Sequence, residues 1–258
     1  MVEFRNVALI IGINNYENDP RIAQLTTARF DAIKLKNILE RDYEYDVELL
    51  TDDQKEDQQK ATCDSIRQAL ARLPDRVQAR QDKEKVRLIF YFAGHGIPSQ
   101  RADGEAGYLV AQDAEIEQLK NFMPMNELQD SLIKLHCQHV LIILDCCFAG
   151  AFKFNTRHLE FDQTPEEISK ERYQRYIDSA AWQVITSAAH DQTALDITLD
   201  NRSSRSGDIE KLGDETPHSP FAAALFRALD KTIALDKDNS HTPADYTKDG
   251  ITSNCSLK

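Results

Sequence analysis

Two short stretches carry side chains able to move a proton or attack a carbonyl. In Ala93-Gly94-His95-Gly96, glycines on both sides of one histidine let the backbone turn sharply and leave the imidazole uncovered. In Asp145-Cys146-Cys147-Phe148-Ala149-Gly150, an acid precedes two thiols and a glycine closes the run. A thiolate is a nucleophile, and an imidazole beside it keeps it ionised and later protonates the leaving group. Taken alone, a Gly-His-Gly reads as a turn and a buried cysteine as inert packing. Found together, they point to acyl transfer through a thiolate, provided the fold brings them to one place.

The residues before each motif supply that condition. Val140 to Leu144 is a run of five branched apolar residues, and Val86 to Phe92 has the same character. Each reads as a strand buried on both faces of a parallel sheet. Reactive residues where such strands stop lie on the carboxyl edge of the sheet, where open α/β proteins form ligand crevices. Neighbouring parallel strands are about 4.8 Å apart, so the two motifs meet if their strands are adjacent.

The separation is 147 − 95 = 52 residues with the histidine upstream, a caspase-type arrangement. Phe90 to Gly96 and Leu144 to Gly150 resemble the two catalytic motifs of the caspase-like cysteine peptidases, in their metacaspase and bacterial orthocaspase branch. Ala8 to Tyr16, Gly107 to Val110, Val184 to Ser187 and Ser219-Pro220-Phe221 resemble that family too. The resemblance implies a caspase-hemoglobinase-like three-layer α/β/α sandwich with a mostly parallel central sheet. It implies Cys147 as nucleophile, His95 as acid and base, and the backbone amides of Gly96 and Cys147 as the oxyanion hole. Cys147 is favoured over Cys146 because the family places an acid two residues before the thiol and a glycine three after it, and Asp145 and Gly150 meet both conditions. By the same resemblance Asp31 and Asp145 line the specificity pocket, which implies cleavage after arginine, then lysine. A guanidinium bonded by both carboxylates would relieve their mutual repulsion. The bland alternatives are a solvated helix residue for Asp31 and a turn cap for Asp145.

The remaining elements read as a doubly wound pattern of strand, helix, strand, helix, strand. Val7 to Ile13 is the first strand, and apolar residues from Ile22 to Asp42 recur at helical spacing around Asp31. A strand at Val47 to Thr51 and a helix from about Ala61 to Leu73 follow, with Pro74 to Lys85 as a surface connection. Tyr108 to Ala111 reads as a short strand, Met125 to Leu135 as a helix, and Trp182 to Ser187 as a strand. Ser219-Pro220 supplies an N-cap and a first-turn proline for a helix through Leu229. The stretches 151–180 and 201–217 read as loops open to self-cleavage. Residues 1–235 form the peptidase domain, and 236–258 a polar tail or linker leading to a possible downstream domain or regulatory partner.

A net charge of −12 argues against a nucleic-acid surface. No apolar run approaches the roughly 20 residues that span a bilayer, and no signal peptide opens the chain. Five cysteines without zinc-type spacing point to a reducing cytoplasm and no disulfide framework. No cofactor is expected. Calcium is not expected either, although several metacaspases need it and Asp103 and Asp113 follow the histidine motif. The expected partner is a protein or peptide with exposed arginine or lysine. A catalytically silent caspase-like module is the alternative, and a nucleotide-binding protein is disfavoured because no glycine-rich phosphate loop follows a strand.

Overall fold

The computed structural model describes residues 4–79, 84–98, 107–147, 179–187 and 216–231. In chain order the elements are β1 (Phe4–Gly12), α1 (Ala28–Tyr43), β2 (Asp46–Thr51), α2 (Cys63–Arg76), β3 (Lys85–Ala93) and β4 (Gly96–Ile97). They continue with β5 (Tyr108–Glu115), β6 (Lys120–Pro124), α3 (Met125–Ile133), β7 (His139–Asp145), β8 (Ala181–Thr186) and α4 (Pro220–Leu229). The central sheet has the order β2-β1-β3-β7-β8, and each neighbouring pair is parallel.

The apolar runs are continuous because both faces of this sheet are covered. Successive side chains point to opposite faces. Val7, Leu9, Ile11, Leu88, Phe90, Phe92, Ile142 and Leu144 join the buried faces of α2 and α3 in one cluster. Ala8, Ile10, Ile89, Tyr91, Ala93 and Ile143 join α1 and α4 in the other. The result is the three-layer sandwich expected from the sequence. Val7 to Ile11 are wholly buried, and each large apolar side chain so placed contributes about 1.5–3 kcal/mol.

Three elements differ from the sequence reading, each for a polar reason. The helix expected from Ile22 begins only at Ala28, because Asn14 engages the preceding backbone. Its carbonyl accepts from Leu25 N–H at 2.8 Å and its Nδ2 donates to Thr26 O at 3.1 Å. Its Oδ1 then accepts Arg29 N–H at 2.9 Å, the capping bond that the Thr27 side chain does not make. The helix expected to stop at Leu73 runs through Pro74 to Arg76, whose guanidinium donates to Ala8 O and Asp46 O. Finally, β4, β5 and β6 form a separate antiparallel sheet where only one short strand was expected. Gln112, Asp113 and Glu115 break the apolar pattern of β5, yet Gln112 Oε1 accepts Ala61 N–H and Asp113 Oδ1 accepts Cys63 N–H, both at 2.8 Å. Asp113 therefore secures the start of α2. The loops expected at 151–180 and 201–217 lie almost wholly outside the described residues, and Asp103, Gly150 and the tail lie outside them altogether.

Candidate active site

The last register pair between β3 and β7 is Ala93 with Asp145. His95 and Cys147 each stand two residues beyond that pair, so the two motifs leave the sheet side by side. Gly94 N–H donates to Asp145 O at 3.3 Å, which holds the two strand ends together. A Cβ on Gly96 would lie 2.4 Å from Cys147 O and 3.1 Å from Cys146 Sγ. Only glycine allows the histidine turn to pass so close to the thiol turn. His95 and Cys147 line one cleft of about 60 Å³ together with Leu25, Asp31, Asp145 and Ser219.

The imidazole of His95 is held from the loop between β1 and α1. Its Nε2 is 2.8 Å from Ala23 O. A carbonyl only accepts, so Nε2 carries a proton, and in the neutral ring Nδ1 is then the nitrogen with the lone pair. Tyr16 packs on the ring at 4.9 Å between centroids, and its hydroxyl accepts His95 N–H at 2.9 Å. Burial pushes the Tyr16 hydroxyl well above its ordinary range, so it stays neutral beside the histidine. Tyr16 N–H donates to Gln24 Oε1 at 2.8 Å, and Arg21 pairs with Asp19 at 2.6 Å, which folds this loop upon itself. Ala23 escaped the sequence reading because a backbone carbonyl has no residue signature. Tyr16 was legible only as part of the resemblance.

The adjacent thiols have opposite surroundings. Cys146 belongs to the core cluster on the α2 and α3 side and is 1% exposed. Burial pushes its thiol well above the usual range, and the neighbouring Asp145 charge adds to the shift. Cys147 is part-buried and lines the cleft.

Asp31 and Asp145 come together across 114 residues, consistent with two acids on one cleft. Asp31, on the inner face of α1, is completely buried. Its Oδ1 lies 2.6 Å from Nδ1 of His218, and its Oδ2 accepts Ser219 N–H at 3.2 Å. The Ser219 hydroxyl donates to Asp145 Oδ2 at 2.7 Å and accepts Ala222 N–H at 3.0 Å, so the N-cap of α4 also ties the two acids. Burial pushes the Asp31 carboxyl up to about 6; the Asp145 charge adds to this, and His218 opposes it. The sequence reading treated Ser219 as a cap alone and missed His218, whose only signal is its place just before that cap.

Among the described residues no group of three His, Cys, Asp or Glu side chains could hold a metal ion. No described helix is long and apolar enough to cross a membrane. A family model for the caspase domain matches residues 5–244 of the chain. No match was found among curated proteins.

Proposed function

The chain belongs to the caspase-domain family of cysteine peptidases, and from that premise we propose an endopeptidase that cleaves after arginine, then lysine, through a Cys147 and His95 dyad. The branch of the family we assign is that of the metacaspases and orthocaspases. One observation carries the proposal: His95, Cys147, Asp31 and Asp145 line the same cleft.

In this reading the substrate carbonyl lies over Cys147, and His95 Nδ1 takes the thiol proton while Ala23 O holds the ring through Nε2–H. The Cys147 sulfur attacks the carbonyl carbon, and the oxyanion is met by the backbone amides of Gly96 and Cys147. His95 returns its proton to the departing amine, leaving an acyl-enzyme that water hydrolyses by the reverse sequence. Asp31 and Asp145 bind the basic side chain that precedes the scissile bond. The reaction so written calls on neither a transition metal nor calcium. The substrates are proteins or peptides with exposed arginine or lysine, not nucleic acids or membranes, and a regulatory partner or downstream domain would control access. Cys63, Cys137, Cys146 and Cys147 form no disulfide among the described residues, and the setting proposed with them is reducing and cytoplasmic.

The test is a cleavage-site profile of the purified chain on a peptide library, with Cys147→Ala as control and EGTA in a parallel arm. Cleavage after arginine and lysine that is absent from the control and indifferent to EGTA is expected. Efficient cleavage after aspartate would overturn the specificity, and calcium-restored turnover would overturn the metal independence.

A further inference from the structure

The acids of the cleft are held by a residue with no assigned role. We infer that His218 is a specificity-positioning residue, its Nδ1 donor fixing the Asp31 carboxylate in the orientation and charge that a substrate guanidinium requires. This rests on the basic specificity proposed above and deepens it.

The geometry is that of a built contact. His218 is 3% exposed and Asp31 0%, with 2.6 Å between Nδ1 and Oδ1. Phe226 of α4 packs edge-on against the imidazole at 5.1 Å, which fixes the plane of the ring. Each Asp31 oxygen thus accepts one internal bond, Oδ1 from His218 and Oδ2 from Ser219 N–H. A carboxylate oxygen accepts more than one bond, so these contacts leave acceptor capacity on both oxygens. Three segments distant in sequence converge here: α1, the two residues before α4, and the end of β7.

The electrostatics need such a partner. The titratable groups around Asp31 are His218 ahead of α4, Asp145 from β7, Tyr91 from β3, and His95 and Cys147 across the cleft. No arginine or lysine occurs among the described residues lining the cleft. Tyr91 lies on the same sheet face as Asp145, two residues before Ala93, and is wholly buried. Asp31 and Asp145 are 0% and 8% exposed, so their charges are screened less than surface charges are. Burial and Asp145 both push Asp31 toward its neutral form, and His218 opposes them most, with the Ser219 N–H adding to it. Without that donor Asp31 would hold its proton to higher pH, and the cleft would lose a charge when substrate arrives.

The experiment compares wild type, His218→Leu and His218→Asn on arginyl peptides from pH 5 to 9. Alkylation of Cys147 by iodoacetamide and thermal midpoints are followed in parallel. Leucine keeps bulk but donates nothing, whereas the asparagine amide can replace the Nδ1 donor. In wild type, kcat/KM should fall as pH drops through the titration of Asp31. In His218→Leu the acid limb should move up by about one unit, so that KM rises about tenfold at pH 5 and about twofold at neutral pH, a loss recovered at pH 9, with alkylation unchanged. His218→Asn should stay within about threefold of wild type. If wild type prefers arginine but the leucine variant keeps its KM and acid limb, this inference alone fails. A uniform fall of kcat and alkylation in that variant would reveal a structural role and overturn it equally. Should the leucine variant not fold, an asparagine variant that loses arginine binding overturns the inference and one that retains it upholds it. Wild type without basic preference overturns both this inference and the reading beneath it.

Discussion

Arg29 and Asp31 stand two residues apart on α1 and belong to acid clusters of opposite kind. The side chain of Asp52, just past β2, is fully buried, yet its Oδ2 lies 3.1 Å from Arg29 Nη1, and its two oxygens accept Asn14 N–H and Asn15 N–H. That carboxylate has its cation built in. Asp31 instead meets an imidazole and one amide, and it shares with Asp145 a cleft whose described lining holds neither arginine nor lysine. A neutralised acid pins the chain, and here it pins the loop that presents Tyr16 and Ala23 to His95. Acids that converge without such a cation store repulsion that an incoming one relieves, as expected of a binding pocket.

The comparison has content only if the cleft performs chemistry. Cys147→Ala should therefore remove turnover, by about a thousandfold or more, while leaving the thermal midpoint close to wild type. Residual hydrolysis above that level, measured with a fluorogenic arginyl peptide, would move the chemistry elsewhere and dissolve the contrast.

The two clusters should next fail differently. Asp52→Ala leaves Arg29, whose side chain is only 19% exposed, without its buried carboxylate. About 3 kcal/mol of stability should be lost, at the low end for a broken buried pair, as read by chemical denaturation. Arginine preference should survive in the molecules that remain folded. Asp145→Ala should spare the fold and lower kcat/KM on arginyl substrates by roughly 30-fold or more, the effect of about 2–5 kcal/mol for a lost partner of a bound cation. Iodoacetamide should still alkylate Cys147 in that variant. Exchanged phenotypes, with Asp52→Ala folded but blind to arginine, would invert the comparison.

The central sheet was legible because a strand covered on both faces cannot avoid a run such as Val140 to Leu144. The two strand ends that share the cleft were legible because glycine, histidine and cysteine are conspicuous at the end of such a run. What stayed hidden depends on polar bonds between distant segments. Asn14 delays the start of α1, Gln112 and Asp113 disguise β5, and the carbonyl of Ala23 orients His95 with no side chain at all. His218 meets Asp31 from 187 residues away, a pairing that no local pattern encodes.

The smallest effect tests the contrast between faces at adjacent residues. Asp145 ends β7 on the side of α1 and α4, so side-chain alternation turns Cys146 toward α2 and α3 and Cys147 back to the cleft. Cys146 accordingly joins the core cluster beside Leu144 and Ile142, nearly without solvent contact. Burial and the Asp145 charge keep it a thiol, so it is neither a competing nucleophile nor a second base. Cys146→Ala should retain turnover within about threefold and cost about 1 kcal/mol in denaturant melts, because a small buried group is lost and the backbone around Cys147 is unchanged. Mass mapping after brief iodoacetamide treatment of the native protein should place the first adduct on Cys147. An adduct forming first on Cys146, or an inactive but folded Cys146→Ala, would show that the strand end turns the other way, and both the nucleophile and the acid pocket would need reassignment.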